Sequence, residues 1–256
     1  MLDELVGGAL ADAAVRRARR PLNQVEAEAL AQTPALDALA ALAPRESVHI
    51  IAEVKRSSPS KGTLAAIADP AALALDYQSG GASAVSVLTE GRRFGGSLED
   101  LVAIRHAVRI PVLRKDFIAE PYQLFEARAA GADLALLIVA ALDNATLTEL
   151  FKLTNELGMT ALVETHSADE VERALDLGAD LIGVNARDLS TFELDQDLFG
   201  SLAVRIPSGV IRVAESAVQS AADVAHYRRA GADVVLVGEA LVTSDPVATL
   251  SEFLAV

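Results

Sequence analysis

Four times along the chain an amphipathic stretch closes on glycine, passes through Ala-Asp or Ala-Ser, and gives way to a short continuous apolar run. The copies are Gly81-Ala82-Ser83 before AVSVL (84–88), Gly131-Ala132-Asp133 before LALLIV (134–139), Gly178-Ala179-Asp180 before LIGVN (181–185) and Gly231-Ala232-Asp233 before VVLVG (234–238). Glycine suits the left-handed residue that ends a helix, because it has no Cβ to clash. Each apolar run is too short for a second helix and fits a strand buried on both faces. The pattern predicts helix, tight stop and strand in alternation.

The same reading gives four more strands: VHIIAEV (48–54), PVLRK (111–115), TALVE (160–164) and VIRVAE (210–215). Eight strands, each followed by a helical stretch, predict an α/β protein with a closed (β/α)8 barrel of the TIM type. No Gly-x-Gly-x-x-Gly turn follows the first strand, as an open dinucleotide-binding sheet would favour. Residues 1–47 read as a helical extension interrupted by Pro21, Pro34 and Pro44, expected beside or under the barrel. No Gly/Ser linker or low-complexity tract divides the chain, so residues 1–256 are expected to form one domain.

Composition narrows the function. The net charge of -14 argues against nucleic acid or an anionic membrane as partner, since either needs a basic face, so an anionic ligand must meet a local basic site. The absence of Cys excludes disulfides, thiolate metal sites and a Cys nucleophile. Met1 to Leu10 carries Asp3 and Glu4 and has no apolar run suited to a signal or a span, so a cytoplasmic protein is expected. Of 22 basic residues only Lys55, Lys61, Lys115 and Lys152 are lysines. Three of these lie in two short segments at strand ends, where a proton-donating ammonium cannot be replaced by Arg.

A barrel of this kind carries its active site at the C-terminal ends of the strands. The first strand ends Ile51-Ala52-Glu53-Val54-Lys55, and a period of two puts Ile51, Glu53 and Lys55 on one face. The other strand ends supply Lys115, Glu164, Asn185 with Arg187 just beyond, and Glu215 followed by Ser216. Two lysines among three glutamates would shift one another's pKa values and provide a general acid and a general base. A structural ion-pair cluster is the plainer reading of any single one of them. Glu215-Ser216-Ala217 and Val237-Gly238-Glu239-Ala240, after strands seven and eight, form the expected phosphate site. The loop from Arg56 to Gly62 suits a mobile closure over an anion. Phe94 and Phe117 are candidates for apolar walls. His49, His106, His166 and His226 show no metal-ligand spacing, and none is assigned to catalysis.

At these positions the chain resembles a known family. Ile51-Ala52-Glu53-Val54-Lys55-Arg56-Ser57-Ser58-Pro59-Ser60-Lys61-Gly62 is similar to the signature of indole-3-glycerol phosphate synthases. Val87-Leu88-Thr89-Glu90 with Phe94-Gly95-Gly96-Ser97, Arg114-Lys115-Asp116-Phe117-Ile118, the run from Gly183 to Leu189, and Ala214-Glu215-Ser216 look like its later motifs, in the same order. The resemblance implies a lyase of tryptophan biosynthesis. Such an enzyme closes the ring of 1-(2-carboxyphenylamino)-1-deoxyribulose 5-phosphate, with loss of CO2 and water, without metal or cofactor.

It further implies Lys115 as the acid protonating the substrate carbonyl, Glu164 as the base of the later steps, and Lys55 with Glu53 in dehydration and carboxylate contact. Asn185, Arg187 and Glu215 would position the substrate. Phe94, Phe117, Leu136 and Leu189 would line the anthranilate end, and Ser58, Ser216 and Gly238 the phosphate end. The family often has Gly where this chain has Ala217, and Glu239 beside a phosphate must turn its side chain away. The chain is expected to lack the isomerase domain fused to this enzyme in some organisms, and to be a monomer. The rival readings are another phosphate-binding barrel enzyme, such as phosphoribosylanthranilate isomerase, whose usual Cys is missing here; a Schiff-base aldolase using Lys55 or Lys115; and a non-catalytic barrel scaffold.

Overall fold

The eight apolar runs form eight parallel strands: β1 (His49–Val54), β2 (Ala84–Leu88), β3 (Val112–Lys115), β4 (Leu134–Ile138), β5 (Thr160–Thr165), β6 (Leu181–Asn185), β7 (Ile211–Glu215) and β8 (Val234–Val237). Each pairs with its neighbours in sequence, and β8 closes on β1 through Ile51 opposite Leu236, giving a (β/α)8 barrel. The computed structural model describes residues 1–59, 61–188 and 193–256. Ser60 and Leu189 therefore lie outside the described residues.

Three helices precede the barrel: α1 (Leu2–Arg19), α2 (Leu22–Leu30) and α3 (Ala38–Ala41). The strands are followed in turn by α4 (Pro70–Ser79), α5 (Leu98–Ala107), α6 (Pro121–Ala129), α7 (Asn144–Glu156), α8 (Ala168–Asp176), α9 (Leu198–Ala203), α10 (Ala221–Arg229), α11 (Glu239–Val242) and α12 (Pro246–Leu254). The repeated joint behaves as its sequence requires. Gly81, Gly131, Gly178 and Gly231 all have positive φ, from 76° to 96°. In two copies the Asp that follows also ties neighbouring strands together: Asp133 accepts from the Val112 N–H and Asp233 from the Arg212 N–H, both at 2.9 Å.

The strand pleat sorts the core into two layers. Alternate residues such as Ile51, Leu113, Leu134, Leu162, Leu181 and Val213 fill the barrel interior. Their neighbours, among them Ile50, Val85, Val112, Leu137, Val163 and Ile182, pack outward beneath the helices. The inner stack is aliphatic low in the barrel and changes to charged and polar side chains at the C-terminal ends, which places the mouth.

The extension follows the expectation of helices beside or under the barrel in part: α2 packs beside α6, Val25 against Tyr122. His49 Nε2 at the foot of β1 meets the Ala43 carbonyl at 2.9 Å, so the segment after α3 does lie beneath. Helix α1, however, lies against loops at the C-terminal face. Asp12 pairs with Arg92 and Glu4 with Arg93, both in the loop after β2, at 2.7 Å. Leu2, Leu5 and Ala9 join the inner apolar cluster that contains Phe117 and Ile138. Charged residues far apart in sequence decide this docking.

Candidate active site

Alternation along each strand carries the chemistry into the mouth. On β1, Glu53 and Lys55 follow Ile51 on the inner face, and Lys55 Nζ stands 2.9 Å from Glu53 Oε1. On β3, Lys115 follows Leu113, and its Nζ lies 3.1 Å from Glu164 Oε2 on β5 and 3.5 Å from Glu215 Oε2 on β7. Register brings Glu164 opposite Gly183 and Asn185 opposite Glu215. Two glycines make room for this crowding. A Cβ at Gly183 would meet Glu215 Oε1 at 2.1 Å, and one at Gly238 would meet Glu53 Oε1 at 2.7 Å and Lys55 Nζ at 3.2 Å.

The loops are pinned so that they present the remaining groups. The Glu90 carboxylate accepts from the backbone N–H groups of Arg92, Arg93 and Phe94 at 2.7–3.0 Å, which turns Phe94 inward. Asp116 accepts from Thr89 Oγ1 at 2.6 Å and from the Phe117 N–H at 2.8 Å. The two rings face each other with centroids 6.1 Å apart, forming an apolar wall with Leu136. Asn185 Oδ1 accepts from Ser216 Oγ at 2.7 Å and from the Arg187 N–H at 3.0 Å.

These groups enclose one cavity of about 500 Å³, aromatic and aliphatic at one end and lined by backbone turns at the other. Every described residue expected from the sequence lines it: Glu53, Lys55, Ser58, Phe94, Lys115, Phe117, Leu136, Glu164, Asn185, Arg187, Glu215, Ser216, Ala217, Gly238 and Glu239. Lys61, from the loop read as a closure over an anion, lines it too, as does Gln196, which the sequence reading did not name. The Glu239 carboxylate pairs with Lys61, and both residues line the cavity. Ala217 keeps the left-handed backbone that Gly would favour, with φ 57°, and Ser216 has φ 71°. Holding two non-glycine residues there costs roughly 1–2 kcal/mol each.

The electrostatics are uneven. Burial disfavours the charge on Lys115, but Glu164, Glu215 and Glu53 outweigh it and hold the ammonium protonated far above its ordinary range. Burial also opposes ionisation of Glu164, yet Lys115, His166 and Asn185 bring its pKa down to about 2. Burial and then the Glu164 carboxylate push Glu215 well above the carboxylate range, so of the two it is the one favoured protonated. Neither Glu215 oxygen nor Glu164 Oε1 has a hydrogen-bond partner, although all are buried. Among the described residues, no group of three or more His and carboxylate side chains is arranged to hold a metal ion.

Sequence reasoning passed over His166. Its Nε2 lies 3.6 Å from Glu164 Oε1 and its Nδ1 3.4 Å from Glu170 Oε2. The signal was available in its spacing, two residues after Glu164 and four before Glu170.

Fold and site together define a (β/α)8-barrel enzyme with lysine and carboxylate side chains gathered at its strand ends. The family model for indole-3-glycerol phosphate synthase matches residues 2–253. The chain is 72% identical over 253 residues to an indole-3-glycerol phosphate synthase from Leifsonia xyli subsp. xyli, covering 99% of this chain and 97% of that one. It is 57% identical over 243 residues to one from Beutenbergia cavernae, covering 95% and 90%. The solved structure of 3-hexulose-6-phosphate synthase from Salmonella typhimurium aligns with a TM-score of 0.63 at 19% identity, over 81% of this chain and 97% of that one, a likeness of fold.

The chain belongs to the indole-3-glycerol phosphate synthase family. It is a carboxy-lyase of tryptophan biosynthesis that acts on a phosphorylated small molecule, closing the indole ring with loss of CO2 and water. The isomerase and scaffold readings are not favoured by these matches.

Proposed function

We propose that Lys115 is the general acid of this reaction and Glu164 its general base. The observation that carries the reading is the buried contact of Lys115 Nζ with Glu164 Oε2 at 3.1 Å, facing a cavity with an aromatic wall. With the anthranilate ring against Phe94, Phe117 and Leu136, its carboxyl-bearing carbon attacks the ketone of the sugar chain. The oxygen becomes an alkoxide as the new carbon–carbon bond forms. An ammonium held protonated by the Glu164 carboxylate gives its proton only to a strongly basic acceptor, and that alkoxide is one. CO2 then leaves and the ring regains aromaticity.

The first proton transfer prepares the second. Once Lys115 is neutral, the charge that depressed Glu164 is gone, and the carboxylate becomes a stronger base at the moment a proton must be removed. The hydroxyl departs as water, taking a proton from Lys55, which Glu53 holds at 2.9 Å. Asn185, Arg187 and Glu215 orient the substrate. Ser58, Ser216, Ala217, Gly238 and Glu239 supply the phosphate end through backbone N–H groups and hydroxyls.

The same reading takes residues 1–256 as one domain with 1–47 as its helical extension, working as a cytoplasmic monomer. Among the described residues no helix is long and apolar enough to cross a membrane.

Turnover of 1-(2-carboxyphenylamino)-1-deoxyribulose 5-phosphate, followed by indole fluorescence after EDTA treatment, tests the roles. Lys115→Ala and Glu164→Ala should each lose about 10²–10⁴-fold in kcat while keeping the circular dichroism of the parent. A folded variant within a few-fold of the parent would remove that residue from its role.

A further inference from the structure

His166 stands directly after β5, between two carboxylates and outside the acid–base scheme above. Lys115 holds one oxygen of Glu164 at 3.1 Å, and the other, Oε1, faces His166 Nε2 at 3.6 Å. On its far side His166 Nδ1 faces Glu170 Oε2 at 3.4 Å. Neither imidazole nitrogen has a hydrogen-bond partner, and neither has Glu164 Oε1, yet all three atoms are buried. Complementary buried polar atoms 3.4–3.6 Å apart are placed to hold one another through their charges.

Glu170 is itself immobilised. Its carboxylate accepts from the His166 backbone N–H at 2.8 Å and from Ser167 Oγ at 3.2 Å, in the first turn of α8. The result is a line of alternating charge, Glu170, His166, Glu164 and Lys115, that runs from a helix start into the cavity.

We propose that His166 is a positioning residue that bridges Glu170 and Glu164, fixes the second oxygen of Glu164, and sets how basic that carboxylate becomes once Lys115 has given up its proton. This rests on Glu164 being the base. The charged groups facing the imidazole are Glu164 from β5, Glu170 from α8 and Lys115 from β3. Burial and Lys115 oppose its proton, while the two carboxylates favour it and prevail, so the imidazole is protonated above the ordinary histidine range. During the reaction the imidazolium remains beside Glu164 after Lys115 is neutral. It keeps the carboxylate ionised and aimed into the cavity until the substrate proton arrives.

A ring that merely props the start of α8 would couple to Glu170 alone. The chain has four histidines, so imidazole resonances can be followed singly by NMR, and His166→Gln identifies the one of interest by its disappearance. The titration midpoint of His166 is expected to fall in Glu170→Gln and also in Glu164→Gln. His166→Gln should lower kcat about tenfold with KM nearly unchanged, as loss of one charged hydrogen bond implies. It should also displace the acid limb of the kcat profile to higher pH, since removing a cation raises the pKa of Glu164.

A midpoint that ignores Glu164→Gln, or a kcat and pH profile unaltered in His166→Gln, overturns the proposal. The first result alongside an inactive Glu164→Gln leaves the base assignment standing. A coupled midpoint with a fully active Glu164→Gln overturns that assignment, and the positioning role with it.

Discussion

Arg114 and Lys115 are neighbours on β3 and project to opposite faces of it, each into a buried set of carboxylates. Behind the strand, Arg114 is fully buried and its guanidinium is satisfied: Nε donates to Thr89 Oγ1 at 3.1 Å, Nη2 to Asp116 at 2.9 Å and Nη1 to the Gln123 carbonyl at 2.5 Å. Glu126 lies 3.7 Å away and is held from outside by Arg16 of α1 at 2.6 Å. Inside the mouth, Lys115 faces Glu164 and Glu215, three of whose four oxygens lack the hydrogen bonds that burial demands: Glu164 Oε1 and both oxygens of Glu215. A satisfied buried network organises a fold, whereas an unsatisfied one is costly to keep and marks a place where a ligand completes it. The planar fork serves the first and the compact, proton-donating ammonium the second.

Substitution should separate the two clusters most clearly at these positions. Arg114→Met removes the fully buried guanidinium that Asp116 and Glu126 share, and should cost about 3–5 kcal/mol in urea unfolding while folded molecules keep most of their turnover. Lys115→Met opens onto a cavity of about 500 Å³ where water can replace the ammonium. Its unfolding free energy should fall by less than about 2 kcal/mol, against a turnover lowered by orders of magnitude. Equal losses of stability in the two variants would erase the distinction.

A smaller change sharpens the geometry on the inner side. In Gly183→Ala the new methyl must displace the Glu215 carboxylate, which lies 2.1 Å from its position, and Leu162 Cδ1 at 3.3 Å limits escape. Kinetics should show a roughly hundredfold loss of kcat from misplacement of the cluster, with the protein still folded. The mildest test concerns the strained turn after β7. Ala217→Gly, at φ 57°, should raise the urea midpoint by an amount equal to about 1 kcal/mol or less, and a drop would show that the Cβ contributes packing.

Much of this arrangement was legible in the sequence, for reasons that differ by element. The strands were readable because their period is local: the run at 84–88 and the run at 181–185 have the bounds of β2 and β6. The site followed from the same period, since counting by two from Ile51 reaches Glu53 and Lys55. The position of α1 was not readable, because it depends on Asp12 meeting Arg92 and Glu4 meeting Arg93, pairs that no local pattern joins. Likewise nothing near Glu239 announces that Lys61 will hold its carboxylate. His166 was left out for another reason: the histidines were read for metal-ligand spacing, and its place between Glu164 and Glu170 depends on where β5 ends and α8 begins.

The unequal ionisation of Glu164 and Glu215 is the centre of the account, and linkage gives each an opposite sign. Glu164, depressed to about 2, stabilises the fold above the unfolded carboxylate value, and that stability is lost as pH falls through its folded value. Glu215, raised by burial and by Glu164, is favoured protonated, and its contribution is lost as pH rises through its folded value. Infrared difference spectroscopy of the free enzyme, at a pH above the ordinary carboxylate range, reads this directly through the carbonyl stretch of a protonated carboxyl. The band should be present in the parent and vanish in Glu215→Gln; a band that survives Glu215→Gln, or is absent from the parent, would contradict the unequal ionisation of Glu164 and Glu215.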